Sequence, residues 1–581
     1  MASSRKKRGA EAKRAGARVD DTATGVESDG PVVSAGSTAD GPHDRAGESS
    51  VEASKASATS SHAGGASALT PRRRWFHVGL AALGGGMQCL GFAGFSWWPF
   101  AFVCFLPMFY VLDQERDAST KRVLALGLVH GFVGYTGGYY WLVEMLSVFS
   151  GFPKPLCWLM ASLFFFYQGL QQMLIYGLYR RARDRGVGVT AAAVPALLTL
   201  ELLFPTLFPS FLATGLHDLT AFIQVADLGG PMLVSAVVMA FNGALYEVLV
   251  AWRQKRVIPR LAPAIALASI ALTLGYGAYR VSEVDARAAT AERLGVGVVQ
   301  VNMGIFSKRD DPHEGHRRHL QQSARLEREH PEMDLLVWPE SAYTYFLQDG
   351  VENVRSRVLG PLQTPLLFGG LRRREGPDRS YAYNTAYLID GEGDVLGTYD
   401  KTYLLMFGEY LPFGETFPIL YDWSPNSGRF TPGTHVRPLT LPTEGGEARL
   451  SALVCYEDVL PGFTRQAVRE GDPHLLVNVT NDAWFGDTHE PWIHLALAKF
   501  RAVEHHRALV RSTNSGVSAM VDPVGRVLGE VGVFERGELY EELPLLQGTT
   551  LYAHVGDWPG MAALLLILWM AFVRKRVGAS A

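Results

Sequence analysis

The run from Leu261 to Tyr279 is 19 residues without a charged side chain. At 1.5 Å per residue such a helix nearly spans the ~30 Å hydrocarbon core of a bilayer. Runs of similar character fall near 75–94, 97–113, 123–147, 155–180, 190–209 and 231–251. A shorter one at 558–573 carries Trp558 and Trp569, which suit the membrane interfaces. Lipid offers backbone groups no partner, so a chain patterned this way crosses a membrane as helices. We expect seven transmembrane helices within 71–285, a large polar insert at 290–550, and an eighth helix with a basic tail at 556–576.

Loop charges orient these spans. Basic residues cluster at Arg72–Arg74, at Arg116, Lys121 and Arg122, at Arg180, Arg181, Arg183 and Arg185, at Arg253, Lys255, Arg256 and Arg260, and at Arg574–Arg576. These clusters occupy every second loop. The alternate short loops hold Lys154 alone (148–154) and no basic residue (210–219). The positive-inside rule then predicts cytoplasmic termini and an insert outside the cytoplasm. Residues 1–70 are rich in Ala, Ser, Gly, Asp and Arg and predict a disordered cytoplasmic leader. Their basic Arg5–Arg8 is followed by no apolar core, so they do not read as a secretory signal. A balance of 54 basic to 57 acidic residues gives no global argument for nucleic acid, and none is expected as a partner.

Within the insert the periodicity changes to short β-rich runs: Val296–Val301, Leu335–Trp338, Leu366–Gly369, Tyr383–Ile389, Val395–Tyr399, Leu450–Cys455 and Leu475–Val479. Helical stretches lie at His316–His330, Pro461–Glu470 and from about Glu490 to Leu509. Mixed helices and near-continuous apolar strands predict one α/β domain with covered sheets.

Cys455 is the only cysteine of that insert; Cys89, Cys104 and Cys157 sit in the apolar spans. It therefore lacks a disulfide or thiolate-metal partner within its domain, and is either a buried structural residue or a nucleophile. Glu340, Lys401 and Cys455 each end or follow a predicted strand, where α/β folds gather chemistry. A thiolate attacks an acyl carbonyl well once a base takes its proton. Glu340 suits that base and later acid; Lys401 suits the thiolate and the tetrahedral oxyanion. The backbone N–H of Tyr456 is a second oxyanion donor, and a helix starting at Pro461 would add positive potential.

The flanks Trp-Pro-Glu340-Ser, Asp-Lys401 and Cys455-Tyr-Glu resemble the Glu-Lys-Cys triad of the nitrilase (carbon–nitrogen hydrolase) superfamily. With eight membrane helices around the domain, the chain resembles the apolipoprotein N-acyltransferase family. Further matches are Phe407-Gly-Glu-Tyr-Leu-Pro-Phe413, Thr480-Asn-Asp-Ala-Trp-Phe-Gly486 and Arg511-Ser-Thr-Asn-Ser-Gly516. The resemblance implies an α-β-β-α sandwich on a helical bundle in a bacterial inner membrane, facing the periplasm. It implies acyl transfer from a phospholipid to the α-amino group of a diacylglyceryl-cysteine apolipoprotein, through a cysteine thioester and without a cofactor. Glu409 and Glu457 match supporting acidic residues of the family's site. Family members can carry a tryptophan soon after the first strand, where this chain reads Asn302-Met-Gly-Ile-Phe-Ser-Lys-Arg-Asp310, and either Phe306 or another residue would have to take its place.

Because both substrates would be lipids, aromatic loop residues are candidates for an entrance: Tyr343, Tyr345, Phe346, Leu404–Phe407, Trp484 and Phe485. Exposing an acyl chain to water costs about 0.8 kcal/mol per CH₂. Taken singly, each triad residue also has a bland reading: a small buried hydrophobe, a turn cap, a solvated strand end. Glu144, Glu201 and Asp227 lie in or beside spans, where ionisable groups are functional candidates. His313, His316 and His319 show no metal-ligand set and are expected to be solvated, and His505-His506 structural. No metal site is expected, and no glycine-rich phosphate loop follows a strand. A one-site ping-pong cycle needs no partner subunit, so a monomer is expected. The rival readings are a membrane-tethered amidase with water as acceptor, and a lipid transporter or binding protein whose outer domain is inactive.

Overall fold

The computed structural model describes residues 70–304, 311–424 and 427–573. The expected leader before Thr70, the Phe306 position and the tail Arg574–Arg576 lie outside the described residues. Helices α1 (Pro71–Leu90), α2 (Leu106–Gln114), α3 (Thr120–Gly138), α4 (Leu142–Ser150), α5 (Lys154–Arg183), α6 (Val189–Leu203), α7 (Thr220–Ile223), α8 (Ala226–Arg253) and α9 (Leu261–Thr290) precede the first strand. Of the described helices, α8 and α9 are long and apolar enough to cross a membrane by length and composition. α5 has the length but buries Gln168, Gln171 and Gln172.

Two expected spans, 97–113 and 123–147, are divided, the first into a 3₁₀ turn (Trp98–Phe102) and α2, while 231–251 is met by the regular part of α8. The run 123–147 is not continuous: α3 stops at Gly138 and α4 begins at Leu142. Gly137 and Gly138 weaken the helix, and Trp141 turns inward against Phe208 and Phe485, with ring centroids 5.1 and 5.2 Å away. α8 is kinked at Gly229 and Gly230, the latter at φ +67°, so its regular part starts at Pro231. One end of the bundle collects basic side chains. Arg122 donates to the Arg74 carbonyl (3.0 Å), Arg180 to that of Glu115 (3.0 Å), and Arg181 to that of Ala571 (3.0 Å).

The opposite end carries the α/β domain. Strands β1 (Arg293–Gln300), β2 (Leu335–Val337), β3 (Tyr343–Gln348), β4 (Leu366–Glu375), β5 (Ser380–Ile389) and β6 (Val395–Asp400) enter one sheet. β7 (Leu439–Thr443), β8 (Gly446–Val454), β9 (Leu475–Thr480), β10 (Ala508–Thr513), β11 (Ser518–Val521) and β12 (Val527–Val531) form the other. β13 (Gly537–Pro544) closes the first sheet, whose order is β13-β1-β2-β4-β5-β6 with β3 beside β4. The second runs β12-β11-β10-β9-β8-β7.

Strand alternation explains the layers. Val296, Val298, Leu335, Val337, Leu367, Ala386 and Leu388 face the second sheet. Their neighbours Val299, Leu336, Trp338, Leu366, Phe368, Tyr387 and Ile389 face outward and pack with Leu326 of helix α10 (Pro312–Glu329). Helix α12 (Pro461–Gly471) and helix α13 (Glu490–His505) cover the second sheet through Phe463, Ala467, Leu495 and Ala498; the short α11 (Ile419–Trp423) lies in a loop. The last α-helices among the described residues are α14 (Leu551–Val555) and α15 (Trp558–Leu568), followed by a π turn at Trp569–Val573.

Two readings are corrected here. The helix expected to reach Leu509 ends at His505, because His506 adopts φ +50° and reverses the chain into β10. Ala-Leu-Val suits either state, and only the pairing of β10 with β9 decides it. His319 is not solvated: it is fully buried, donates or accepts at the Gly315 carbonyl (2.8 Å), and lies 5.0 Å from the Trp338 ring. It occupies the inward face of α10. His505 is buried beside Tyr552, and His506 meets Asp227 at 3.1 Å, so both are structural.

β4 must pass closely beneath the turn that follows β2. A Cβ on Gly369 would lie 2.6 Å from Glu340 Cα and 2.8 Å from Ser341 N. Gly369→Ala is therefore expected to cost about 1–3 kcal/mol. A thermal melt of the solubilised protein should fall by several degrees. Gly370→Ala, whose nearest neighbour is 3.3 Å away, should fall by less.

Candidate active site

Three strand ends meet at the edge of the sandwich nearest the bundle. Glu340 follows β2, Lys401 follows β6 and Cys455 follows β8. The β6 and β8 ends belong to different sheets, so this convergence needs the sandwich. Cys455 sits at φ +53°, in the left-handed region that a side chain adopts only when its surroundings impose it. Ser341 and Phe407, beside Glu340 and Glu409, share that conformation at φ +51° and +67°.

Lys401 is buried, and its Nζ meets Glu409 Oε2 at 2.6 Å. Burial alone would lower its pKa. Glu409 first, then Cys455, Glu340 and Glu457, outweigh that and hold it above the usual lysine range, as a cation. Glu409 is fixed by the N–H of Leu405 (2.8 Å) and the Nδ2 of Asn384 (2.9 Å). The same Nδ2 donates to Glu340 Oε1 at 2.6 Å, so one amide spaces the two carboxylates. Lys401 N in turn donates to the Asn384 carbonyl (2.8 Å).

Glu457 does a different job. Its Oε1 accepts from the Tyr399 hydroxyl (2.8 Å) and from the N–H groups of Thr402 (2.8 Å) and Tyr403 (2.9 Å). Its Oε2 accepts from Val454 N (2.8 Å). It thereby ties the loop carrying Lys401 to the strand end carrying Cys455. Burial pushes its pKa up to about 7, against Lys401 and these donors.

Cys455 is half-buried. Burial first, then the Glu340 charge, push its pKa well above the ordinary value, and Lys401 opposes them. The resting group is a thiol. A thiol beside a carboxylate that can take its proton and an ammonium that can stabilise negative charge is arranged for nucleophilic attack. Tyr456 continues the chain into a short 3₁₀ turn, and α12 starts six residues beyond Cys455. The Tyr456 hydroxyl donates to the Leu207 carbonyl of the bundle.

Behind Cys455 lies a buried network that sequence reasoning missed. His494 Nε2 meets Asp458 Oδ1 at 2.7 Å and its Nδ1 meets Asp482 Oδ1 at 3.2 Å. Arg511 binds Asp458 and Asp482, each at 2.8 Å, and Asn478 Oδ1 at 2.9 Å. Asn478 Nδ2 then donates to the Cys455 carbonyl (3.1 Å). Burial and Arg511 push the His494 imidazole down, but Asp458 and Asp482 prevail and hold it at about 10. Asp482, Glu490 and His494 are near enough to hold a metal ion. Both ring nitrogens of His494 and the Asp482 carboxylate are already engaged, Asp482 by a guanidinium, so the donors fit an ion network better than a metal site. The spacing Glu490-x-x-x-His494 was the available signal. Asn384 had one too: with Thr385 it forms a polar pair inside the otherwise apolar run Tyr383–Ile389.

A small cavity of about 30 Å³ touches Cys455, Tyr456, Trp141, Phe485 and Glu490. A larger one, about 830 Å³, shares Tyr456 and Leu405 and extends along Leu404 and Met406. Of the entrance candidates, Phe485 lines the first. Phe407 is exposed next to Met406, and Trp484 stacks on Phe149 at 4.3 Å. Tyr343 packs in the outer core with Trp338, Phe346 lies under Arg373 at 4.2 Å, and neither lines these two cavities. The ionisable candidates in the bundle are partnered: Glu144 with Lys154 (3.0 Å), Glu201 with Leu212 N (2.8 Å) and Ser235 (3.0 Å), Asp227 with Arg280 (2.7 Å).

Two family descriptions match the chain, Apolipoprotein N-acyltransferase N-terminal domain over residues 84–244 and Carbon-nitrogen hydrolase over residues 295–551. An apolipoprotein N-acyltransferase of Azotobacter vinelandii is 31% identical, the match covering 86% of this chain and 95% of the relative. One from Pseudomonas syringae pv. tomato is 30% identical over 86% and 97%. One from Geobacter metallireducens is 29% identical over 87% and 97%.

The opposed influences on Cys455 have a measurable consequence. Removing the Lys401 charge leaves burial and Glu340 unopposed, so the thiol titrates still higher and less thiolate is present at pH 8. Iodoacetamide labelling of Cys455 at pH 8 should slow by about tenfold or more in Lys401→Met, one pKa unit being a factor of ten. Equal rates would show that Lys401 does not act on the sulfur.

Proposed function

The chain belongs to the apolipoprotein N-acyltransferase family and is an acyltransferase, and from that premise we propose that it N-acylates the diacylglyceryl-cysteine terminus of apolipoproteins with a chain taken from a phospholipid. The observation that carries the reading is the convergence of Glu340, Lys401 and Cys455 at the bundle-facing edge of the sandwich, with a cavity of about 830 Å³ beside them.

In the first half-reaction Glu340 takes the thiol proton as Cys455 Sγ attacks an acyl-ester carbonyl. The oxyanion is met by Lys401 and the Tyr456 N–H. The C–O bond breaks, Glu340 returns the proton to the leaving alkoxide, and a lysophospholipid departs from a Cys455 thioester. In the second half-reaction the free α-amine attacks that thioester. An amide C–N bond forms, the C–S bond breaks, and the amine proton passes through Glu340 to regenerate the thiol. Asn384 and Glu409 hold Glu340 and Lys401 in place, and Glu457 holds the Lys401 loop against Cys455. Trp141, Phe208 and Phe485 make a dry floor, which favours aminolysis over hydrolysis. A tethered amidase would instead need ready access for water at the thioester.

The same proposal includes eight membrane crossings and a catalytic domain on the periplasmic face of a bacterial inner membrane. Basic side chains gather at the bundle end remote from Cys455, which agrees with the positive-inside rule. Phe407 and Trp484 then lie at the entrance for lipid.

Incubated with phosphatidylethanolamine, the purified protein should carry a fatty-acyl adduct on the Cys455 peptide by mass spectrometry. The adduct should transfer to a diacylglyceryl-cysteine peptide and not appear promptly as free fatty acid. Glu340→Gln should reduce adduct formation at least 100-fold, within the range typical of general-base loss. Full complementation by Cys455→Ser in cells would sink the enzyme reading. For topology, Glu392→Cys should react with a membrane-impermeant maleimide in intact spheroplasts, and Lys255→Cys only after lysis. The reverse pattern would invert the orientation.

A further inference from the structure

The cavity of about 830 Å³ is not uniformly apolar. One end is walled by Tyr456 and Leu405, next to Cys455 and Lys401; its lining also includes Arg379, Arg429, Glu415 and Tyr421. Its size falls within the roughly 300–1,000 Å³ of small-molecule sites. Two guanidinium groups against one carboxylate leave it net positive. Arg379 NH1 stands 3.7 Å from Glu415. Arg429 lies over the Tyr421 ring at 4.0 Å, and no described carboxylate pairs with it. Stacking fixes the guanidinium plane and leaves its N–H edge available.

The backbone around Arg429 is pinned to the catalytic loop. Gly428 N donates to the Gly408 carbonyl (2.7 Å), Phe430 N to that of Glu409 (3.1 Å), and Thr431 N to that of Ala382 (2.7 Å). Glu409 is the partner of Lys401, and Ala382 lies two residues before Asn384. The position of Arg429 is therefore coupled to the reacting centre. Between the two arginines in sequence, Phe413, Phe417, Ile419 and Trp423 are all exposed, at 53–75%. That combination of uncovered aromatics and guanidinium groups suits a molecule with apolar chains and an anionic head.

Resting on the acyl-transfer reading above, we propose that Arg379 and Arg429 form an anion subsite for the phosphodiester of the acyl donor. The two substrates of the cycle both carry a diacylglyceryl group, but only the donor carries a phosphate. An anion subsite in the shared cavity would let one site tell donor from acceptor. The donor is held with its ester towards Cys455, while the acceptor enters without engaging the arginines. Guanidinium groups match a phosphate through paired N–H donors, whereas a neutral ester offers nothing comparable.

The test separates the half-reactions. Acylation of Cys455 is followed with phosphatidylethanolamine and with the phosphate-free donor p-nitrophenyl palmitate, in the full-length protein in detergent. Transfer from preformed acyl-enzyme to a diacylglyceryl-cysteine peptide is followed separately. The double variant Arg379→Gln/Arg429→Gln should lose tenfold or more in acylation by the phospholipid. Acylation by p-nitrophenyl palmitate and the transfer step should stay within about twofold. Equal losses with both donors, or no loss with either, would overturn the subsite. Inorganic phosphate at tens of millimolar should leave the phospholipid reaction unchanged. Competitive inhibition that is absent from the double variant, together with undiminished acylation of that variant by the phospholipid, would reassign the pair to free phosphate and overturn the lipid assignment. If wild-type Cys455 were acylated by neither donor, the acyl-transfer reading would fail rather than this one.

Discussion

A buried ammonium must have a counter-charge, and the site is organised around supplying one to Lys401. Withdrawing such an ion from water costs several kcal/mol even after relaxation, and removing one partner of a buried pair costs about 3–5 kcal/mol. Glu409 meets Lys401 at 2.6 Å, but a carboxylate there must itself be fixed. Leu405 N and Asn384 Nδ2 do that, and Asn384 also fixes Glu340. The requirement thus spreads from one nitrogen to four chain segments, β5, the end of β6, the Phe407 loop and the end of β2. Their positions are set together, so Glu340 and Lys401 cannot drift apart independently.

Cys455 reaches this group from the other sheet, and two arrangements hold it there. Glu457 joins Val454 to Thr402 and Tyr403 by accepting from all three backbones. Beneath, the Asp458–His494–Asp482–Arg511 network ends on Asn478, whose amide holds the Cys455 carbonyl. Two carboxylates between two cations balance charge without solvent, which explains how so many ionisable groups are tolerated in a nearly dry core. The left-handed backbone at Cys455 persists because both sides of it are held this way. The bundle contributes the floor, through Trp141, Phe208 and the Leu207 carbonyl that receives the Tyr456 hydroxyl. Cys455 therefore shares the lining of a small cavity with Tyr139, Trp141, Phe208 and Phe485.

Much of this was legible beforehand because it is written in local pattern. The strands β1, β2, β4, β5, β6, β8 and β9 show as short apolar runs, since a sheet covered on both faces needs apolar residues at every position. β3, β7 and β10–β13 escaped, among them β3 because Tyr343–Gln348 alternates polar residues at an edge and β10 because Ala508–Thr513 continues an apolar helix without a break in composition. The triad positions were visible as polar residues closing strands. Asp458 was not, and Asn384, His494 and Arg511 left only local signals without a role, since each is an ordinary polar residue until a partner remote in sequence arrives. His319 misled because its helical neighbours are charged, while its own ring faces Trp338.

The division follows from the range of the forces concerned. Apolar periodicity, basic loop clusters and strand-ending residues act over a few neighbours, so the amino-acid order alone determined a helical part, an α/β insert and a candidate trio within it. Which carboxylate faces the Lys401 ammonium, where α3 breaks and where the chain turns after His505 depend on contacts between residues tens to hundreds of positions apart. Packing and buried charge decide those, and both exist only once the two sheets and the bundle have closed on one another.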